Sequence, residues 1–158
     1  MILLRPMHLS DIPAIMQIEA VIPAGLTTRP LAEQVYVNEL TANQQAWFVV
    51  AEALTTSTPK DNLVGFAWLQ IFYDEAHVMN IVTRPECQGL GIGWQLMQAL
   101  LAEARRRQAI CLTLEVRASN TPAQALYRKC GLQLVGQRKR YYRDNNEDAI
   151  IMTLMLGT

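Results

Sequence analysis

A mixed α/β fold is predicted by three features of this 158-residue sequence. Strand-like and helix-like runs follow one another in the order β-α-α-β-β-β-α-β-α-β-β, hairpin signals occur both early and late, and a glycine-rich turn joins a strand to a helix between them. Hairpins make antiparallel neighbours, whereas the strand, helix, strand passage over 76–117 requires a parallel one, so the sheet is mixed. No internal repeat or low-complexity stretch divides the chain, and residues 1–158 are expected to form one domain.

Each element has a local reason. Residues 1–5 suit a short strand that Pro6 ends. Ser10-Asp11 followed by Pro13 starts a helix, and Ile12, Ile15, Met16 and Ile18 repeat at helical spacing until Pro23-Ala24-Gly25. A second helix is expected to open at Thr28-Arg29-Pro30 and to carry Leu31, Val35 and Leu40 toward Asn43. Runs 46–53 and 63–73 are rich in β-branched and aromatic residues, with a polar connection between them, and read as a hairpin. Asp74-Glu75 turns into the next strand, 76–83, which Pro85 stops. From Gly91 to about Arg107, Leu96, Met97, Leu100, Leu101 and Ala104 recur at helical period; Arg105-Arg106-Arg107 then read as a solvated helix end. A strand at 110–117 precedes a short helix that Thr121-Pro122 opens and Gly131 closes, with Ala125, Leu126 and Cys130 on its apolar side. Strands at 132–142 and 149–156 flank a polar turn at Asp144-Asn145-Asn146.

Composition narrows the function classes. Fourteen basic and fourteen acidic residues cancel, so overall charge points to neither nucleic acid nor an anionic membrane as the main partner. The first residues are apolar too briefly for a signal peptide, and no apolar run approaches the roughly 20 residues of a membrane helix, so a cytoplasmic protein is expected. Cys87, Cys111 and Cys130 are odd in number and lack C-x-x-C spacing, and His8 and His77 belong to no ligand motif. Neither a disulfide framework nor a metal site is expected.

The most informative motif is Gln88-Gly89-Leu90-Gly91-Ile92-Gly93, placed after a strand and before a helix. Glycines at alternate positions let the backbone approach a ligand, and the following helix turns its unpaired N–H groups and positive dipole end toward it. The motif reads as a cradle for a pyrophosphate, although its spacing matches neither G-x-x-x-x-G-K-[ST] nor G-x-G-x-x-G. A tight structural connection is the alternative.

Together with Gln88-x-x-Gly91-x-Gly93, four further blocks carry a family resemblance: Asn80-Ile81-Val82-Thr83-Arg84-Pro85, Leu114-Glu115-Val116-Arg117-Ala118-Ser119-Asn120, Ala125-Leu126-Tyr127, and the late Tyr141-Tyr142 with Glu147-Asp148-Ala149-Ile150-Ile151-Met152. The chain resembles the GNAT superfamily of acyl-CoA-dependent N-acetyltransferases, in particular its RimI branch, which acetylates the N-terminal alanine of a ribosomal protein, the eighteenth of the small subunit. The resemblance is strong from about residue 60 onward and is one of layout only in the first helices. It implies two central parallel strands that splay apart, with acetyl-CoA as co-substrate entering between them. The pantetheine arm would pair with the main chain of Ile81, Val82 and Thr83. The amides around Gln88, Gly89, Leu90, Gly91, Ile92, Gly93 and Trp94 would hold the pyrophosphate, and Asn120 would bond the arm near the thioester. Asn120 also suits a helix cap before Thr121-Pro122. Two departures stand out. Gly89 and Trp94 occupy positions where the family commonly has basic residues, and 22–28 reads Ile-Pro-Ala-Gly-Leu-Thr-Thr in place of a Pro-Trp-Ser-like signature that shapes the acceptor cleft.

Acetyl transfer to an amine needs a neutral nucleophile and a proton for the departing thiolate. A terminal amine titrates near ~8 and a lysine near ~10.4, so deprotonation at neutral pH costs roughly 3 kcal/mol less for the former. By the resemblance Glu115 is the expected base, against a surface carboxylate paired with Arg117 or another cation. Tyr127 is the expected acid and a cofactor contact, against a tyrosine that covers the core. Arg138, Tyr141 and Tyr142 in the last hairpin are expected to contact the acceptor peptide, while Arg138-Lys139-Arg140 also suits a charge-protected sheet edge. A covalent route through Cys87 is the competing mechanism, without a motif-linked base. The resulting expectation is a monomeric enzyme acting on a protein N-terminus. Broader N-terminal acetylation, lysine or small-amine acetylation, and a non-catalytic acyl-CoA sensor stand as alternatives.

Overall fold

The computed structural model describes residues 1–23, 31–54 and 62–157. Strand β1 (Ile2–Pro6) passes through a 3-10 turn at Leu9–Asp11 into helix α1 (Ile12–Val21), with Pro13 in its first turn, where no N–H partner is required. Helix α2 (Glu33–Ala42) precedes β2 (Ala46–Ala53), β3 (Leu63–Phe72) and β4 (Glu75–Thr83). Helix α3 (Ile92–Arg106), β5 (Cys111–Arg117), α4 (Thr121–Lys129), β6 (Gln133–Tyr142) and β7 (Glu147–Met155) complete the expected order of elements.

Among the described residues the strands form one seven-stranded sheet in the order β1-β2-β3-β4-β5-β7-β6. Every neighbouring pair is antiparallel except β4 and β5. Their parallel ladder joins only residues 75–77 to 111–113. β4 nevertheless stays paired with β3 as far as Thr83, and β5 with β7 as far as Arg117. Each strand is therefore held on its outer side while the two inner edges part, which is the expected splay. A β-bulge marks the departure: Trp68 pairs with Asn80 and Leu69 with Val78, leaving Met79 as the extra residue of β4. Such an insertion bends the strand and increases its twist.

Helices cover both faces of the sheet. Leu96, Met97, Leu100, Leu101 and Ala104 of α3 are buried on one side with Leu112, Leu114 and Val116 of β5, as their helical period predicts. On the other side Ile12, Ile15 and Ile18 of α1 pack with Tyr36 of α2 and with Phe48, Phe66 and Trp68 from the sheet. The Tyr36 ring meets those three rings edge-on, with centroids 6.2, 6.4 and 6.3 Å away.

Three expectations are corrected. Helix α2 begins at Glu33 after an extended Ala32, rather than at 28–30, which lie outside the described residues. Its buried side chain is Tyr36, while Val35 is exposed, because the aromatic cluster rather than the aliphatic stripe sets the buried face. In α4, Ala125 is exposed, and Gln124 and Tyr127 are buried. Gln124 tolerates burial because its amide donates to the carbonyls of Arg117 and Ala118 at 3.0 and 2.9 Å. Arg105 and Arg106 are exposed, as expected of a solvated helix end, and Arg106 and Arg107 both bond the Glu103 carboxylate. Among the described residues no helix is long and apolar enough to cross a membrane.

Candidate active site

The glycine turn adopts the conformation its composition requires. Gly89 and Gly91 have φ of 80° and 83°, and Gly91 caps the N-terminus of α3 in the left-handed region. A Cβ on Gly93 would lie 3.0 Å from the Leu126 side chain, so this glycine lets α4 approach the first turn of α3. Between the two helices and β4 runs an open groove of about 410 Å³. The expected residues Ile81, Thr83, Gln88, Gly89, Gly91, Ile92, Gly93 and Trp94 line it. Two others do not: the Val82 side chain is buried among the residues packed on the opposite face, as strand alternation requires, and Leu90 is 69% exposed outside the walls. Only their main-chain groups remain available to a ligand.

Deeper in the opening between β4 and β5 lies a pocket of about 110 Å³. Glu115, Asn120, Tyr127 and Tyr142 are all on its walls, and it shares Ile81, Ala123 and Tyr127 with the groove. Tyr127 thus stands where the two spaces meet. The parting of the strands, the glycine turn and this continuous path fit a long ligand with an anionic end and an amide-bearing arm: main-chain edges for the arm, and amides with the α3 dipole for the phosphates.

Asn120 caps α4, its Oδ1 accepting from the Ala123 N–H at 3.2 Å, and also lines the pocket, so both roles foreseen for it are compatible. Glu115 is paired with a cation, but with Arg138 rather than Arg117: Arg138 Nε donates to its Oε1 at 2.9 Å. The Tyr141 hydroxyl also donates to Glu115. Arg138 and Tyr141 are not among the pocket walls, and the Glu115 side chain that they bond is 29% exposed. Arg117 is committed elsewhere. Its guanidinium bonds Asp144 at 2.9 Å, lies 3.5 Å from Glu147 and sits 4.0 Å above the Tyr142 ring.

Burial pushes the Tyr127 phenol well above its ordinary range, with Tyr142 and Cys130 adding to the shift, so it carries its proton at any working pH. Tyr142 is pushed up to about 12, first by burial, while the Arg117 guanidinium pulls the other way and Glu115 adds to the rise. Both phenols on this pocket are therefore protonated. Cys130 is raised by burial, and Cys87 lies on the groove wall.

The sequence reading did not single out Arg117 as the support of Tyr142, nor Pro122, Ala123 and Lys129 as walls. Helical spacing carried a signal for the last group, since Pro122, Leu126 and Lys129 follow one another at four and three residues along one side of α4.

Residues 14–132 match the Acetyltransferase (GNAT) family. A Bacillus subtilis (strain 168) protein, provisionally named a [ribosomal protein bS18]-alanine N-acetyltransferase, is 39% identical over 154 residues, covering 97% of this chain and 95% of its own. The Escherichia coli (strain K12) protein named [ribosomal protein bS18]-alanine N-acetyltransferase is 41% identical over 102 residues, covering 63% of this chain and 69% of its own. Among solved structures, the ribosomal-protein-S18-alanine N-acetyltransferase from Escherichia coli superposes with a TM-score of 0.82 at 31% identity, covering 100% of this chain and 96% of that one. The Ard1 structure from Thermoplasma volcanium shares the fold at a TM-score of 0.81 and 21% identity, covering 99% of each chain. With three quarters of its length inside the family's match, the chain belongs to the Acetyltransferase (GNAT) family.

Proposed function

We propose that this protein transfers the acetyl group of acetyl-CoA to the N-terminal α-amine of a protein that begins with alanine, the ribosomal protein bS18 being the acceptor indicated by its relatives' names. The observation that carries the reading is the convergence of a carboxylate, Glu115, and a buried phenol, Tyr127, on one small pocket that opens into a glycine-lined groove. Acetyl-CoA supplies the acetyl group as a thioester. Every other requirement falls to side chains and main chain.

Glu115 takes the proton of the incoming amine, directly or through a water. Arg138 and Tyr141 bond its carboxylate and orient it. A terminal amine, titrating near ~8, leaves a base of this strength roughly 3 kcal/mol less to do than a lysine near ~10.4. Tyr127 donates its proton to the departing sulfur. A phenol near ~10 and a thiol near ~8.5 differ by roughly 2 kcal/mol, and burial widens that gap, so the transfer occurs as negative charge develops on sulfur. A main-chain N–H of residues 81–83 polarises the thioester oxygen. Tyr142, Tyr141 and Arg138 border the acceptor's approach. No metal takes part, and the chain acts as a single domain and a monomer in the cytoplasm, without nucleic acid or membrane as partner.

Incubation with acetyl-CoA and peptides differing in their first residues, some with blocked N-termini, tests the reading through thiol release and peptide mass. Acetylation of free alanine-starting peptides alone is expected. Modification of blocked lysine peptides would replace the acceptor class, and CoA binding without thiol release on any acceptor would replace catalysis by sensing.

A further inference from the structure

The groove beside the glycine turn contains one cation among its described walls, Lys129, and no carboxylate. The turn itself contributes none: Gln88, Gly89, Leu90, Gly91, Ile92 and Gly93 are uncharged, and Trp94 follows them. Lys129 comes from across the groove, at the end of α4, where the helix dipole favours a positive charge. Its neighbour Arg128 shares that position but is not a wall. No ion pair within 4 Å engages Lys129 among the described residues, and its side chain is exposed to solvent.

We propose that Lys129 is the phosphate-binding cation of this cradle, closing over the nucleotide end of acetyl-CoA from α4 while the turn's amides hold it from α3. The inference rests on the acetyl-CoA reading above. The ammonium head, on a flexible stem, meets phosphate oxygens as a mobile point charge, and the amides supply the fixed geometry. The shared chemistry is a phosphate group, of the diphosphate or of the ribose.

Binding, not turnover, is the test. Dissociation constants for CoA, dephospho-CoA and pantetheine are measured by Trp94-sensitive fluorescence and by calorimetry, with the unaltered chain and with Lys129→Ala, Lys129→Glu and Lys129→Arg. For CoA at low ionic strength Lys129→Ala is expected to weaken binding about fivefold, Lys129→Glu by more, and Lys129→Arg hardly at all, with the differences shrinking in salt. Pantetheine binding stays the same in all four. A loss that persists with dephospho-CoA assigns the contact to the diphosphate, and one that vanishes assigns it to the ribose phosphate. Unchanged CoA affinity in Lys129→Glu overturns the proposal, as does an equal loss for pantetheine. Absence of CoA binding by the unaltered chain instead removes the acetyl-CoA reading, and this inference with it.

Discussion

Replacing Glu19 with Gln should abolish a loss of stability that the unaltered protein undergoes as pH rises from about 4.5 to about 7. Glu19 is 3% exposed near the end of α1, and accepts hydrogen bonds from the Tyr36 hydroxyl and the Leu31 main-chain N–H. No cation pairs with it among the described residues. Burial therefore dominates and raises its pKa from 4.5 to about 7, the Leu31 bond acting in the opposite direction. The folded protein binds this proton more tightly than the unfolded chain does. Stability is therefore full below pH 4.5, declines as the unfolded chain alone ionises, and levels off above about 7. A shift of this size corresponds to about 3 kcal/mol across that window. Gln keeps the shape and cannot ionise. Urea unfolding of both proteins at pH 5, 6, 7 and 8 gives the difference in unfolding free energy at each pH, in which other titrating groups cancel. The difference should move in favour of Glu19→Gln by about 3 kcal/mol between acid and neutral pH. A difference that stays flat would refute the claim that this carboxyl is buried without a counter-charge.

Three further outcomes follow from the same geometry. Glu115→Gln should lower kcat by at least about a hundredfold and remove the limb of the pH–rate profile that reports the base, while CoA still binds; an unchanged profile would remove Glu115 from that role. Tyr127→Phe should lower kcat by about ten- to a hundredfold with little change in CoA affinity, and near-full activity would reduce this residue to a buried packing tyrosine. Gly91→Ala places a Cβ at φ 83°, which should cost about 1 kcal/mol of stability and weaken CoA binding, read by thermal unfolding and calorimetry; no change in either would mean that the turn relaxes freely.

The sequence exposed those parts of the fold in which local chemistry and tertiary packing agree. Strands β2 to β5 are rich in β-branched and aromatic residues, and α3 repeats its apolar residues at a clean helical period, so their positions were legible to within a residue or two. The faces of α2 and α4 were not. In α2 the buried position is an aromatic, Tyr36, whose hydroxyl is satisfied by Glu19 from another helix, a partnership no local window contains. In α4 a polar residue is buried because it answers two carbonyls of the preceding turn, so hydropathy put Ala125 inside and left Gln124 out. The bulge at Met79 and the left-handed Arg140 in β6 depend on what the neighbouring strands do and leave no signature of glycine or proline. Glu115, Asn120 and Tyr127 were singled out through family resemblance; a cation partner for Glu115 was foreseen as Arg117 or another, and sequence proximity could not choose Arg138, which reaches it from β6.

The opening between β4 and β5 has a thermodynamic consequence that ties fold to function. Two adjacent strands that part after three ladder pairs leave main-chain donors and acceptors facing a space instead of each other. Such an arrangement persists only because the outer ladders to β3 and β7 hold each strand independently, and because α3 and α4 pack against the sheet through Leu96, Leu100 and Tyr127. The edges are thus set in position before any ligand arrives, at a cost already met by folding. A guest with its own amides regains those hydrogen bonds without ordering the protein, so its binding free energy is not spent on reorganisation.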